Sequence, residues 1–321
     1  MLKVENLRTY YRTRQGLLKA VDDVSFTLEK GEILGLVGES GCGKTTVALS
    51  IVRLLPSVAQ IMDGKILLHS DDLLRRSEDE MREVRWGKIS MIFQGALNSL
   101  NPVLSVKEQI GEAMQAHGNF SGEEVDMAVS RLFKAVRLDP ERRTNYPHEF
   151  SGGMKQRVMI AMALACNPEV VIADEPTTAL DVIVQRQILE LIRSLRDELH
   201  ISMILITHDL SVVAQLCDKA VIMYAGKVVE KGDLHSIFES PMHPYTRALL
   251  KSIPKMEDAK TQELSYIHGS VPDLTGPVPA CRFYGRCPHA QKICEEVDPP
   301  LGESSRGNYV ACHFWRQIAQ A

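Results

Sequence analysis

The sequence predicts an α/β fold in which strands joined by crossover helices form a mostly parallel sheet. Two observations support this prediction. The apolar run Ile33–Val37 is followed by a glycine-rich turn and then by a helix-type stretch. Further along, strand-like and helix-like runs alternate between residues 170 and 217, which is typical of parallel strands connected by helices.

The 321 residues are 45% hydrophobic and 24% charged, as in ordinary soluble proteins, and could form one large domain or up to three smaller ones. The net charge of −4 gives no general electrostatic reason to expect nucleic-acid binding. No apolar stretch approaches the roughly 18–20 residues that span a bilayer. Residues 1–5 lack the apolar core of a signal peptide. We therefore expect a cytoplasmic chain that reaches a membrane only through a partner.

Residues 38–45, Gly-Glu-Ser-Gly-Cys-Gly-Lys-Thr, fit the phosphate-binding P-loop pattern G-x-x-x-x-G-K-[ST]. The glycines let successive backbone N–H groups point at phosphate oxygens, and the following helix adds partial positive charge. Lys44 can neutralise the β- and γ-phosphates, and the Thr45 hydroxyl can hold Mg²⁺. The candidate nucleotide-binding residues of this loop are Gly38, Ser40, Gly41, Cys42, Gly43, Lys44, Thr45 and Thr46.

A second apolar strand, Val170–Asp174, supplies the carboxylate that a P-loop site needs. Asp174 can reach Mg²⁺ directly or through water. Glu175, the next residue, can polarise the water that attacks the γ-phosphate. Two acids at the end of a strand could be accidental, but the P-loop in the same chain favours the catalytic interpretation.

The tripeptide Ser151–Gly153 is predicted to begin a helix, 23 residues before Asp174. A serine hydroxyl and unobstructed glycine N–H groups at a helix N-terminus can bind an anion. Taken alone, the same residues would be an ordinary flexible helix cap. The accompanying P-loop favours a second phosphate contact.

Residues 95–150 depart from the flanking α/β pattern and are interpreted as a helical insertion. Apolar residues at helical spacing predict an amphipathic helix over residues 123–136. Ser121 and Glu124 form a capping-box pattern at the start of this helix.

Beyond the predicted core, two apolar runs flank Ala225-Gly226 and predict a β-hairpin. Residues 234–253 are predicted to be mostly helical. From about residue 255 the composition shifts to proline, glycine, cysteine and polar residues. We predict a main domain over residues 1–254 and a small, irregular, cysteine-rich appendage over residues 255–321.

These motifs, in this order, resemble the ATP-binding cassette (ABC) family over residues 1 to about 250. Gly38–Thr45 matches its Walker A motif and Val170–Asp174 its Walker B motif. Ser151–Gly153 matches its signature, although Met154 replaces the glutamine common at the end of that motif.

The resemblance implies roles for further residues. Glu175 matches the catalytic glutamate, and His208 matches the switch histidine that contacts the γ-phosphate. Gln94 matches the Q-loop residue that contacts Mg²⁺ and water. Taken singly, Gln94 could be an ordinary loop amide and His208 a core histidine. The remaining matched positions are Asp181 of the D-loop and the adenine-stacking aromatic Tyr11, with Tyr10 as its alternative.

The resemblance also implies a P-loop NTPase cassette with a RecA-like core, an antiparallel β part and a helical subdomain over about residues 95–165. In this family two cassettes pair head to tail. Each ATP lies between the Walker motifs of one subunit and the signature of the other. ATP closes the dimer and hydrolysis reopens it, so that the nucleotide favours one of two states. The implied activity is hydrolysis of ATP with Mg²⁺.

Three short segments and the cysteine-rich tail resemble the ATPase subunit of dipeptide and oligopeptide importers, also called the peptide/nickel transport family. The segments are residues 99–102, 146–150 and 243–249. In that family a related but different ATPase chain is the usual partner. The two ATPases sit under two transmembrane permease subunits, which are fed by an extracytoplasmic peptide-binding protein. The resemblance therefore implies a peripheral subunit at the cytoplasmic face of the cell membrane.

Soluble ABC ATPases that act on ribosomes or DNA are the alternative. The ribosomal class joins two cassettes in one chain and carries closely spaced, ferredoxin-like cysteines. This chain has one cassette and widely spaced cysteines. The DNA class inserts long coiled coils or zinc modules, whereas the insertion here is about 55 residues long without sustained heptads.

Four of the seven cysteines lie in the last 41 residues, at Cys281, Cys287, Cys294 and Cys312. Four thiolates suit a four-coordinate metal or cluster. Importers with this tail resemble carriers of a [4Fe–4S] cluster, which is the expectation here. Zinc is the second candidate, although structural zinc sites usually contain C-x-x-C pairs. Unligated cysteines, disulfides, and ligation by His289 or His313 remain as alternatives.

Overall fold

The computed structural model describes residues 1–95, 99–118, 120–252, 267–276, 278–304 and 307–320. The chain divides into two units. The first comprises Met1–Leu28, Ile33–Leu74 and Ile206–Ala321, and the second comprises Glu29–Glu32 and Arg75–Leu205. The predicted domain boundary between residues 254 and 255 lies outside the described residues and stays a prediction.

The order of the elements confirms the predicted α/β class. The strands are β1 (Leu2–Thr13), β2 (Gly16–Leu28), β3 (Ile33–Val37), β4 (Ala59–Leu68), β5 (Asp71–Asp72), β6 (Ile89–Ile92), β7 (Val170–Asp174), β8 (Ser202–Thr207), β9 (Lys219–Tyr224), β10 (Lys227–Asp233), β11 (Gly302–Glu303) and β12 (Tyr309–Val310). The helices are α1 (Lys44–Ile51), α2 (Glu78–Val84), α3 (Val106–His117), α4 (Gly122–Ala135), α5 (Gly152–Ala163), α6 (Val182–Leu199), α7 (Leu210–Leu216), α8 (Leu234–Glu239), α9 (Pro244–Lys251), α10 (Lys292–Glu296) and α11 (Trp315–Gln320).

An antiparallel sheet in the first unit has the strand order β2-β1-β4-β5. The central strand β1 pairs with both β2 and β4, and Leu2 lies opposite Leu28 on one side and Leu68 on the other. All three leucines are buried, while the intervening Lys3 is exposed. Because successive side chains of a strand point to opposite faces, one face of this sheet packs against the core.

The P-loop strand β3 belongs to a second sheet, in which the first unit contributes the order β11-β12-β10-β9-β3. The predicted hairpin is confirmed as β9 and β10, and Ala225 (φ 46°) and Gly226 (φ 84°) form its two-residue turn. Strand β12 pairs with β10 through Val310 and Tyr309. The appendage, predicted to be irregular, therefore extends the sheet that carries the P-loop.

In the second unit, β6 pairs with β7 in parallel, and β8 lies on the other side of β7. The predicted amphipathic helix is confirmed as α4. Its capping box is also confirmed, because the Glu124 N–H donates to the Ser121 hydroxyl at 3.3 Å and the Ser121 N–H donates to the Glu124 carboxylate at 2.7 Å. No helix in the described part of the chain is both long and apolar enough to cross a membrane.

The helix after the P-loop is shorter than the sequence suggests. The pattern predicts a helix toward Pro56, but α1 ends at Ile51. Arg53 adopts a left-handed conformation (φ 52°), and the Leu54 N–H bonds back to the Leu49 carbonyl at 2.9 Å. This closure satisfies the terminal carbonyl and ends the helix before the proline is reached.

Candidate nucleotide-binding site

The P-loop joins the buried strand β3 to helix α1 within the first unit. Gly43, the N-cap of α1, has a φ of 103°, and a Cβ atom there would lie 2.2 Å from the Ala20 carbonyl oxygen. This position therefore requires glycine. In the described chain no side chain caps α1, and its first turn holds no acidic residue. Its N–H groups and the positive end of its dipole therefore suit an anion.

Lys44 is buried beneath the loop, with 5% of its surface exposed. Its ammonium donates to the carbonyl oxygens of Gly38 at 2.7 Å and Glu39 at 3.0 Å. The Cys42 sulfur, at 3.7 Å, is a weak third contact. Since an ammonium has three donors, two carbonyls fix its position and one donor suits a phosphate. The adjacent Thr45 is exposed, as a metal-binding hydroxyl must be.

Cys42 is predicted to offer its N–H to phosphate, but in the structure this N–H bonds within the P-loop. Its N–H donates to the Glu39 carbonyl at 3.2 Å, and its own carbonyl accepts from the Gly226 N–H at 3.0 Å. The thiol is buried, and burial raises its pKa. In this structure Cys42 therefore joins the P-loop to the turn between β9 and β10.

Glu39 occupies a variable position of the motif, and the sequence assigns it no role. Its N–H donates to the Tyr245 hydroxyl at 2.9 Å, and its carboxylate accepts from the Arg286 guanidinium at 2.8 Å. These partners lie 206 and 247 residues along the chain, so no local pattern could have indicated them.

Two more predicted nucleotide contacts lie in the first unit. The Tyr11 hydroxyl is 3.1 Å from the Thr46 hydroxyl beside the P-loop, whereas the Tyr10 hydroxyl donates to Asp22 at 2.8 Å. Burial, and then the Asp22 hydrogen bond, raise the pKa of Tyr10 to about 12. These contacts favour Tyr11 over Tyr10 as the aromatic residue near the nucleotide. His208 is exposed directly after β8.

In the second unit, Glu175 directly follows β7 and has a φ of 47°, a conformation that costs a non-glycine residue energy. The Gln94 side-chain amide donates to its carboxylate at 3.1 Å. The Thr178 hydroxyl donates to the same oxygen at 2.8 Å. The structure thus brings two predicted catalytic residues together. It also adds Thr178, to which the sequence analysis gave no role. The position of Thr178, three residues after Glu175, was the sequence signal that could have indicated this contact.

Asp174 is the last residue of β7, in which every residue is buried. Only 1% of its surface is exposed. Carboxylate oxygens are preferred Mg²⁺ ligands, and Asp174 is placed at the end of a strand as such a ligand requires. Its position and chemistry therefore fit the predicted metal ligand.

Ser151 is the N-cap of α5, and its exposed side chain makes no capping hydrogen bond within the described chain. The first turn, opened by Gly152, holds no acidic residue. A Cβ at Gly153 would lie 2.5 Å from the Val184 side chain of α6, so helix packing requires glycine there. The Asp181 carboxylate caps α6 by accepting the Val184 N–H at 2.9 Å. Asp181 therefore has a structural bond in addition to its predicted role.

The four cysteines of the appendage line one small cavity of about 20 Å³ together with Phe283. Burial raises the pKa of Cys281 and Cys312 to about 11. Thiols suit iron or zinc, and no disulfide joins any cysteine of the described chain. However, the described residues contain no group of three or more His, Cys, Asp or Glu side chains placed to hold a metal ion. The donors for the predicted cluster meet around one cavity, but they do not have the geometry of a metal site.

Comparison with known proteins matches both parts of the chain. Residues 21–178 match the ABC transporter family, and residues 229–294 match the family described as oligopeptide/dipeptide transporter, C-terminal region. The second match begins in β10 and continues into the appendage.

The chain is 48% identical over 319 residues to the probable peptide ABC transporter ATP-binding protein y4tR of Sinorhizobium fredii, which covers 98% of this chain and 95% of that protein. It is 47% identical over 324 residues to the dipeptide transport ATP-binding protein DppD of Bacillus subtilis, covering 100% and 96%. The solved dimer of the ATP-binding cassette MJ0796, bound to ADP and Pi in a post-hydrolysis state, matches with a TM-score of 0.65 and 29% identity. That match covers 73% of this chain and 99% of the other.

Proposed function

This chain belongs to the ATP-binding subunits of oligopeptide/dipeptide ABC transporters, and we propose the following roles for its residues. It is an ABC-type ATPase of a peptide importer. The comparisons lend no support to the alternative of a soluble ATPase acting on ribosomes or DNA. The solute is proposed to be a dipeptide or oligopeptide, as the names of the relatives indicate.

The observation that carries the catalytic proposal is the contact between Gln94 and Glu175. Glu175 is proposed to polarise the attacking water. Its backbone has a positive φ, and two hydrogen bonds orient its carboxylate. Gln94 is proposed to orient Glu175 and to contact Mg²⁺ and water. His208 is proposed to contact the γ-phosphate.

The P-loop is proposed to bind the phosphates of ATP. The N-terminus of α1 and the Lys44 ammonium supply the positive charge, and Tyr11 stacks on adenine. Thr45 and Asp174 would be oxygen ligands of Mg²⁺, which suits this donor set. When bound, Mg²⁺ neutralises charge that develops on the phosphates.

Ser151, Gly152 and Gly153 are proposed to contact the ATP held by a second cassette. Two features of α5 support an anion contact. Among the residues that the structure describes, the side chain of its N-cap, Ser151, makes no capping hydrogen bond, and its first turn contains no acidic residue. Asp181 is proposed to lie at the same boundary between cassettes. Binding of ATP across two subunits would close the dimer, and hydrolysis would reopen it.

The partners are proposed to be a related ATPase chain, two transmembrane permease subunits and an extracytoplasmic peptide-binding protein. The proposed location is the cytoplasmic face of the cell membrane. The peptide-transport names of relatives that match nearly the whole chain support this assembly.

The appendage is proposed to hold a [4Fe–4S] cluster, with zinc as the alternative. The support is a set of four thiols around one cavity. Metal binding would require Cys281, Cys287, Cys294 and Cys312 to rearrange and lose their protons. A structural role is favoured, because none of the sequence motifs described above indicates electron transfer.

The test of the proposed function is peptide uptake into proteoliposomes that contain this chain with its permease and partner ATPase. We expect uptake of labelled peptide that needs ATP and Mg²⁺ and is lost with Glu175→Gln. The control is Glu190→Gln, because Glu190 is exposed on the surface of α6 and forms an ion pair with Arg186 one turn away. ATP hydrolysis without peptide uptake, combined with recovery on ribosomes or DNA, would overturn the proposal.

A further inference from the structure

Arg286 extends from the cysteine-rich appendage to the P-loop and is almost completely buried. Its side chain is 7% exposed. It donates to the Glu39 carboxylate at 2.8 Å and the Tyr224 hydroxyl at 3.3 Å. It also donates to the carbonyls of Ile267 at 3.0 Å and His268 at 2.9 Å. The planar guanidinium is therefore fixed on several sides, with Glu39 as the charged partner.

Glu39 transmits this restraint to the nucleotide-binding lysine. Its carbonyl accepts from the Lys44 ammonium at 3.0 Å, and its N–H donates to the Tyr245 hydroxyl at 2.9 Å. Tyr245 is fully buried and packs on Tyr224, with ring centres 4.7 Å apart. The side chain and the backbone of Glu39 are thus both anchored by residues that follow β8 in the sequence.

We propose that Arg286 is a positioning residue for ATP binding, which holds Glu39 so that the P-loop keeps Lys44 directed at the phosphates. The proposal rests on the assignment of the P-loop under the proposed function. It makes the appendage part of the nucleotide site rather than an independent module.

A second arginine of the appendage, Arg282, provides a comparison for the contact between Arg286 and Glu39. Arg282 is also buried, and it contacts the Asp22 carboxylate and the Ala225 carbonyl. These contacts attach the appendage to β2 and to the β9–β10 turn. Arg286, by contrast, bonds directly to a P-loop residue. Arg282 therefore attaches the appendage to the rest of the first unit, whereas Arg286 contacts the P-loop itself.

The test is titration of the full-length chain with a fluorescent ATP analogue, together with KM and kcat for ATP hydrolysis. For Arg286→Ala we expect Kd and KM to rise by about tenfold, within the usual range for coupled sites, while kcat at saturating ATP stays near that of the wild type. Arg286→Lys should recover part of the affinity, because lysine keeps the charge without the planar fork. Arg316→Ala is the matched control, since Arg316 is exposed in the same appendage.

Glu39→Gln provides a second variant if Arg286→Ala folds poorly, because it removes the ion pair while leaving the appendage sequence intact. It should raise Kd as Arg286→Ala does, with iron and zinc content unchanged. Wild-type Kd in either folded variant would overturn the proposal. Lys44→Ala separates the two hypotheses: if it too binds ATP normally, the P-loop assignment fails. If only Lys44→Ala loses binding, the positioning role of Arg286 fails alone.

Discussion

Gln94 and Glu175 are 81 residues apart in the sequence, yet the Gln94 amide donates a hydrogen bond to the Glu175 carboxylate at 3.1 Å. Thr178 donates to the same oxygen at 2.8 Å. Two donors therefore orient one carboxylate on a backbone with a φ of 47°. Such preorganisation is what a group that polarises water requires.

Glu175→Gln is expected to bind ATP normally and to lose hydrolysis by about 10²–10⁴-fold, the usual contribution of a general base. The amide has nearly the same shape as the carboxylate but cannot accept a proton from water. Phosphate release and ATP titration measure the two effects, and size-exclusion chromatography with ATP should show an accumulated dimer. Hydrolysis at the wild-type rate would remove Glu175 from this role.

Thr178→Val is expected to lower kcat about fivefold with little change in KM, since a typical hydrogen bond contributes about 1 kcal/mol. Valine keeps the shape of threonine but cannot donate to Glu175. Thr178→Ser restores the hydroxyl and should recover most of the rate. The assigned role of Thr178 would be contradicted if serine and valine gave the same kcat.

Lys44→Ala is expected to weaken ATP binding by about 10–100-fold, because hydrogen bonds to charged groups contribute about 1.5–3 kcal/mol. Equilibrium titration with ATP measures the change. Lys30→Ala is a suitable control, since Lys30 is exposed in the turn before β3. Equal affinities in both variants would mean that phosphate binds elsewhere.

Asp126→Asn is expected to destabilise the chain at neutral pH but not near pH 2. The Arg143 hydrogen bonds, both 3.0 Å long, and the Lys107 ion pair lower the pKa of Asp126 to about 2. Because the folded pKa lies below the reference value of 3.8, the stabilisation is present above about pH 4 and is lost as pH falls toward 2.

Thermal unfolding at several pH values tests this dependence. The difference in Tm between the wild type and Asp126→Asn should shrink steadily below pH 4. Asp79→Asn serves as the control, because Asp79 is highly exposed in its pair with Arg82. A constant difference in Tm across the acid range would contradict the ion-pair explanation.

Cys287→Ser is expected to abolish metal binding by the appendage. Anaerobically purified wild-type protein should contain about four iron and four sulfide per chain, the content of a [4Fe–4S] cluster. Zinc in place of iron would indicate a structural zinc site. ATP affinity should persist in the variant, because Arg286 keeps its bonds to Glu39 and the backbone. Wild-type protein without metal would refute the metal centre.

Local patterns in the sequence were sufficient for the main elements and motifs. The P-loop lies between β3 and α1 as predicted, and the Ser121 capping box starts α4. These features depend on residues a few positions apart, which a pattern reports directly. The helix was predicted to run toward Pro56, whereas α1 ends at Ile51. Arginine is not a residue type that predicts a left-handed conformation, so the sequence did not indicate the earlier end at Arg53.

Ordered local motifs in the sequence were enough to predict the α/β class, the phosphate-binding loop and the resemblance to peptide-importer ATPases. The folded structure was needed to show that Arg286 and Tyr245 hold Glu39, and that β12 pairs with β10 and so extends the P-loop sheet. The residues in these contacts lie more than 70 positions apart. Their partners are chosen by the packing and pairing of whole elements, which no local spacing encodes.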